Sequence, residues 1–231
     1  MSRSLFITGT GTDVGKTYVT GLIVKKMKEA GLNIAYYKAA MSGNVRDENG
    51  NLIPGDAVSV KETSGISQTV ESMCPYVYEN AWSPHLASKV EGNPVRMDEV
   101  KKGYAMLCEK YDYITMEGSG GILCPIRFDD EKIWLEDIIK ELDMPCIIIA
   151  DAGLGTINSV ILTVEYMRSR KIKIKGIIFN NYHQGNLMEE DNIKMCEYMT
   201  GVKVIASVSE NDTELNISSG KLKELFEENF V

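Results

Sequence analysis

The stretch LFITGTGTDVGKTYVT, residues 5–20, decides the fold class. Leu5–Thr8 is a continuous apolar and β-branched run, the pattern of a strand buried on both faces. It breaks into Gly9-Thr10-Gly11-Thr12-Asp13-Val14-Gly15-Lys16-Thr17, and a helix-like amphipathic stretch follows. Glycines let backbone N–H groups turn inward around an anion. A helix that begins near Lys16 adds its unpaired N–H groups and the positive end of its dipole. Lys16 supplies a mobile cation for β- and γ-phosphates, and Thr17 offers a hydroxyl to Mg2+. The strict GxxxxGK[ST] spacing is not met, because Thr10 stands where its first glycine belongs and Gly9 comes one place earlier. The order strand, Gly/Thr-rich loop, GKT, helix still predicts a nucleoside triphosphate site of the P-loop type.

Outward from this loop, short apolar runs alternate with longer amphipathic ones. The runs are Leu5–Thr8, Ile34–Tyr37, Tyr113–Met116, Cys146–Ala150, Ile174–Phe179 and Val202–Ala206. Helix-like stretches cover roughly 16–30, 56–63, 97–110, 133–142, 156–170, 189–200 and 219–228. This alternation predicts a single α/β domain over residues 1–231, with a mostly parallel central sheet and helices on both faces. Residues 40–95 are the least regular, rich in Gly, Pro, Ser and Asn. The chain has 44% hydrophobic and 25% charged residues, which excludes a disordered or fibrous protein. A net charge of −8 argues against a nucleic-acid partner. No run reaches the ~20 apolar residues of a membrane span, and the first residues are too short for a leader's apolar core. Five cysteines without a CxxC pair point to reduced thiols in the cytoplasm rather than to a metal cluster.

Ligands of open α/β sheets collect at the carboxyl ends of strands, so the residues there carry the functional reading. Lys38 closes the second run and is either a second ammonium beside Lys16 or a surface lysine. Asp56, after Pro54-Gly55, is either a metal ligand or a helix N-cap. Glu117, followed by Gly118-Ser119-Gly120-Gly121, suits a Mg2+–nucleotide site, and a salt-bridged carboxylate is the alternative. Asn180 ends a later run; its amide matches the N6/N7 edge of adenine, although Asn is also a common turn residue. Gly153-Leu154-Gly155-Thr156-Ile157-Asn158 reads either as a backbone carboxylate site or as a glycine turn with Thr156 as N-cap.

Together these residues resemble the ATP-dependent dethiobiotin synthetases of biotin biosynthesis. The matching elements are GTxTxVGKT at 9–17, Lys38 with Ser42-Gly43, Asp56-Ala57, Ser83-Pro84-His85, Glu117-Gly118-x-Gly120-Gly121, Leu154-Gly155-x-Ile157-Asn158, and Asn180. The resemblance implies a ligase acting as a homodimer on 7,8-diaminononanoate, CO2 and ATP with Mg2+. One amine forms a carbamate, ATP converts it to a carbamic–phosphoric mixed anhydride, and the second amine closes the cyclic urea with release of ADP and phosphate. It implies Lys38 and Lys16 as catalytic residues. Asp13, Val14, Gly15, Lys16, Thr17, Tyr18, Asp56, Glu117, Gly118, Ser119, Gly120 and Asn180 would hold the nucleotide. Thr17, Asp56 and Glu117 would hold Mg2+. Thr12 and Ser42 would meet the diamine, and Thr156 and Asn158 would meet its carboxylate from the neighbouring subunit. Three departures stand out: Ala39 where proline often follows the lysine, Asp13 where some members have Glu, and no proline over 204–211 beside the base.

A ParA/MinD-like ATPase switch is the alternative from another class. Such proteins usually carry an early lysine in a KGGxGKT loop, and residues 9–15 have none. The end of the chain mixes charges (Lys221-Leu-Lys-Glu-Leu-Phe-Glu-Glu-Asn) and offers no basic amphipathic helix for a membrane surface. An amidotransferase-type relative of the cobyrinate diamide synthase group would need an added glutaminase domain, for which 231 residues leave no room.

Overall fold

The computed structural model describes residues 3–227. Its centre is a six-stranded, wholly parallel sheet made of β1 (Arg3–Gly9), β2 (Ile34–Lys38), β3 (Tyr113–Glu117), β4 (Cys146–Asp151), β5 (Ile174–Asn180) and β6 (Val204–Ser207), in the order β6-β5-β4-β1-β3-β2. Every strand but the edge strand β6 is buried nearly end to end, which explains the continuous apolar runs. Side chains alternate between the two faces of the sheet: Leu5 and Ile7 enter one core, Phe6 the other.

Eight α-helices lie among the described residues: α1 (Lys16–Glu29), α2 (Gly55–Ser64), α3 (Pro84–Val90), α4 (Met97–Cys108), α5 (Leu135–Glu141), α6 (Thr156–Ser169), α7 (Leu187–Thr200) and α8 (Ser219–Phe226). One core packs α1, α2 and α8 on the sheet through Leu22, Ile23, Val60 and Phe226. The other packs α4 to α7 through Leu107, Ile138, Val164 and Cys196. Helices therefore cover both faces, as the alternation predicts. No helix of the described residues is long and apolar enough to cross a membrane.

The structure corrects several boundaries. The last strand runs over Val204–Ser207 rather than 202–206. The stretch 133–142 is not all helix: Lys132–Trp134 pairs with Pro125–Phe128 in an antiparallel ribbon, and the helix starts at Leu135. The Asp137 carboxylate accepts the Trp134 N–H at 2.8 Å, which fixes that start. The irregular segment 40–95 holds α2 and α3, a short parallel pair between Ala40–Met41 and Tyr76–Val77, and a ribbon of Val45–Arg46 with Leu52–Ile53. Helix α3 is absent from the sequence reading, although Ser83-Pro84 is a standard helix start. The C-terminal helix ends at Phe226, and residue 228 of the predicted stretch lies outside the described residues, as do residues 1–2 and 229–231 of the predicted domain.

Candidate active site

The chain leaves β1 for β2 on one side, and later crosses from β3 to β4 on the other. The crevice at the carboxyl ends of β1 and β3 is thus a topological switch point. The loop after β1 fills it. Gly15 takes a left-handed conformation (φ 83°) and starts α1, so the first N–H groups of that helix face the loop. A Cβ on Gly9 would lie 2.9 Å from Val14 and 3.1 Å from Lys16, so the loop closes only over a bare backbone. A Cβ on Gly15 would lie 2.0 Å from Asn180 Nδ2. Lys16 curls over the loop and donates to the Gly11 carbonyl at 2.7 Å. Burial lowers its pKa below the ordinary lysine value, with Glu117 acting in the opposite direction.

Parallel pairing places Lys38 opposite Glu117 in register. The Lys38 ammonium contacts Glu117 Oε1 at 2.6 Å and Asp56 Oδ2 at 2.5 Å. Burial alone would pull the Lys38 pKa down, but the two carboxylates outweigh it and hold it above the ordinary lysine value. Thr17 donates to the same Glu117 Oε1 at 2.8 Å, and Tyr36 donates to Oε2 at 3.1 Å. Burial, reinforced by Glu117, keeps the Tyr36 phenol protonated. Lys38 is therefore not a surface lysine. Asp56 is not an N-cap: Pro54 holds that position and Asp56 lies in the first turn of α2. Glu117 is salt-bridged, and its partner is the lysine at the mouth of the loop.

Two neighbouring cavities open here. One, of about 410 Å3, is walled by Thr12, Asp13, Gly15, Lys16, Thr17 and Lys38, with Ser42, Asp56, Glu117, Ser119 and Gly120 also on it. The second, of about 700 Å3, shares Thr12, Asp13, Ser42, Ser119 and Gly120 and extends to Trp82, Ser83 and Cys124. Ser119 is held by a bond to the Ala40 carbonyl at 2.7 Å. The donor set suits a small hard cation: the Asp56 and Glu117 carboxylates converge on the Lys38 ammonium, the Thr17 hydroxyl donates to Glu117 Oε1, and Mg2+ needs few carboxylates besides phosphate and water.

Several predicted residues lie off these walls. Val14 is buried, and Gly118 packs against Phe6 and Leu135, where a Cβ would come within 2.9 Å of both. Tyr18 donates to the Asp212 carbonyl. Thr156 and Asn158 sit beyond β4, outside both cavities of their own chain. Gly155, not Thr156, caps α6; Thr156 is its first residue, with a buried hydroxyl that has no partner. Asn180 also lies off the walls, under the loop, where its Nδ2 donates to the Val14 carbonyl at 3.2 Å and to Asn181 Oδ1 at 3.3 Å. With both N–H contacts made within the protein, only Oδ1 is left for a base. Sequence reasoning missed Tyr36. Strand alternation could have found it, since residues 36 and 38 share a face.

Comparison with known proteins gives a consistent result. A family model described as "AAA domain" matches residues 3–216. The ATP-dependent dethiobiotin synthetase of Brachyspira hyodysenteriae is 51% identical over 228 residues, covering 98% of this chain and all of that protein. The protein of the same name from Clostridium perfringens is 47% identical over 208 residues, covering 90% of this chain and 91% of its own. Among solved structures, a ParA family ATPase from Chlorobium tepidum superposes with a TM-score of 0.55 at 12% identity, covering 98% of this chain and 89% of that one. That likeness is one of fold alone.

Proposed function

The chain belongs to the ATP-dependent dethiobiotin synthetase family, and we propose that its 9–17 loop grips ATP while Lys38 steadies the carboxylated diamine beside it. The reaction is ATP- and Mg2+-dependent carboxylation and ring closure of 7,8-diaminononanoate with CO2. One amine adds to CO2 and loses a proton, giving a carbamate. A carbamate oxygen attacks the γ-phosphorus of ATP, giving a mixed anhydride and ADP. The second amine attacks the anhydride carbon, phosphate leaves, and the cyclic urea of dethiobiotin forms. The substrate supplies both nucleophiles, so no Ser–His or Cys–His pair is required.

The observation that carries the assignment is Lys38 and Lys16 on the wall of one small cavity, with Lys38 buried between Glu117 and Asp56. Both ammonium groups face the place where negative charge gathers during phosphoryl transfer. Thr17, Asp56 and Glu117 would hold Mg2+, which when bound supplies charge neutralisation for the polyphosphate. The N–H groups of the loop, with Asp13 to Tyr18 and Glu117 to Gly120, surround the nucleotide, and Asn180 offers Oδ1 to the adenine amino group. Thr12 and Ser42, shared by both cavities, meet the diamine. The larger cavity takes its aliphatic chain.

A homodimer completes the site. The 153–158 turn holds the substrate carboxylate of the neighbouring subunit, a reading supported by the start of α6, which opens directly behind the left-handed Gly155. Leu154, Leu162 and Leu187, all largely exposed, supply apolar surface for that contact. Five free thiols fit work in the cytoplasm. The test is an assay with diaminononanoate, labelled bicarbonate and ATP. A labelled cyclic urea formed in step with ADP supports the reading, and ATP hydrolysis without labelled product overturns it.

A further inference from the structure

The turn at 153–158 and the phosphate loop lie on opposite sides of Asn180, and one chain of hydrogen bonds joins them. Asn180 Nδ2 donates to Val14 O at 3.2 Å and to Asn181 Oδ1 at 3.3 Å. Asn181 Nδ2 donates to Asp151 Oδ2 at 2.6 Å, and Asp151 Oδ1 accepts the Gly153 N–H at 2.7 Å. Asn181 takes a left-handed conformation (φ 55°), which asparagine and aspartate tolerate better than most residues. A Cβ on Gly153 would lie 2.8 Å from Asp151 Oδ1, so the carboxylate fills the space a side chain there would need. From the other side, buried Asn192 donates to the carbonyls of Ala152 and Gly153 at 2.9 and 3.1 Å.

The polarity of this chain is fixed at both ends. Val14 offers only a carbonyl and Gly153 only an N–H. Asn180 spends its NH2 group in both directions, so Asn181 must accept from it and donate onward. Residue 151 must then accept on both sides, which a carboxylate does and an amide does not. A neutral amide at 151 forces a mismatch somewhere along the chain, a donor against a donor or, if the asparagine amides flip, an oxygen of Asn180 against the Val14 carbonyl.

We propose that Asp151 and Asn181 are positioning residues, bracing the 153–158 turn against the phosphate loop so that the turn presents its backbone N–H groups to the diamine carboxylate. The assignment rests on the carboxylate reading of that turn. Neither residue touches substrate. They act by holding the backbone that does.

The test compares D151N, N181D, the exchange D151N/N181D, and N158A as the control for the turn. In the exchange, the carboxylate moves to position 181 and accepts from Asn180 and from the amide placed at position 151. The oxygen of that amide accepts the Gly153 N–H, so the chain closes again. Each single substitution raises KM for diaminononanoate about tenfold, the scale of one hydrogen bond to a charged group, with kcat at saturation and KM for ATP little changed. The exchange brings KM back towards wild type. Thermal melting of all four proteins separates this from a loss of folding, because a merely structural defect does not split KM from kcat. A raised KM in N158A with wild-type KM in both single variants overturns the assignment alone. A raised KM that the exchange does not restore overturns it as well. An unchanged KM in N158A overturns the carboxylate reading and this assignment with it.

Discussion

Lys38 shows how much one side chain can carry. Its ammonium neutralises Asp56 and Glu117, and the same group is within reach of the cavity. Lys38→Ala should leave MgATP binding within about threefold while lowering turnover more than ~100-fold, as expected for a group spent on transition-state charge. Equilibrium binding of a non-hydrolysable ATP analogue, set beside kcat, checks this; parallel losses of both would make Lys38 a nucleotide holder. Glu117→Gln keeps the shape and removes the charge. It should shift the Mg2+ titration of ATP binding to about tenfold higher metal concentration. An unmoved titration would take Glu117 out of the metal site. Lys38 and Glu117 were legible in the sequence because each ends an apolar run, and Asp56 because it follows Pro54-Gly55. Tyr36 and the Asp151–Asn181 pair were not, since their roles depend on what stands across a strand or a loop.

Elements bring these residues together by register. Parallel pairing of β2 with β3 sets Lys38 opposite Glu117, and α1 carries Thr17 to the same carboxylate. Strand and helix positions were readable from apolar periodicity; α3 and the 125–134 ribbon were not, because short elements give too few residues for a period to emerge. Away from the site, α5 and α6 are tied by Glu136. Its carboxylate, side chain only 3% exposed, meets Arg170 at 2.6 Å, Tyr166 at 2.9 Å and Lys140 at 3.3 Å. The Arg170 hydrogen bond, followed by those of Tyr166 and Lys140, lowers its pKa from 4.5 to about 2. A carboxyl depressed in the folded state stabilises the fold above its unfolded pKa and loses that contribution as pH falls through the folded one. Glu136→Gln should therefore melt below wild type at neutral pH, and the gap should close as pH drops from 4.5 towards 2. A gap that stays constant over that range in thermal melts would contradict this account.

At the scale of the whole molecule, the proposed homodimer would divide the site between subunits, with Lys38 from one protomer and the 153–158 turn from its partner. Lys38→Ala and Asn158→Ala subunits, each impaired alone, should complement when mixed and re-annealed. A heterodimer then holds one intact site, with Lys38 from one chain and Asn158 from the other, and one doubly damaged site. Random assortment makes half the dimers heterodimers, so with diaminononanoate well below KM, where both homodimers contribute little, activity should recover to about one quarter of wild type. Failure to recover, with mixed dimers verified by mass, would place both halves within one chain.

The sequence by itself determined the α/β class, the phosphate loop and the order of the strand-end residues, because apolar periodicity, glycine freedom and charge at strand ends are local properties of the chain. Only the tertiary structure decided that Lys38 rests between Asp56 and Glu117, that Asn180 braces the loop from beneath, and that Asp151 rather than an amide must follow Asn181 in a directed chain of hydrogen bonds. Those arrangements join residues dozens of positions apart. Strand order, helix packing and the polarity of each donor and acceptor settle them, and none of these is written in any short stretch of sequence.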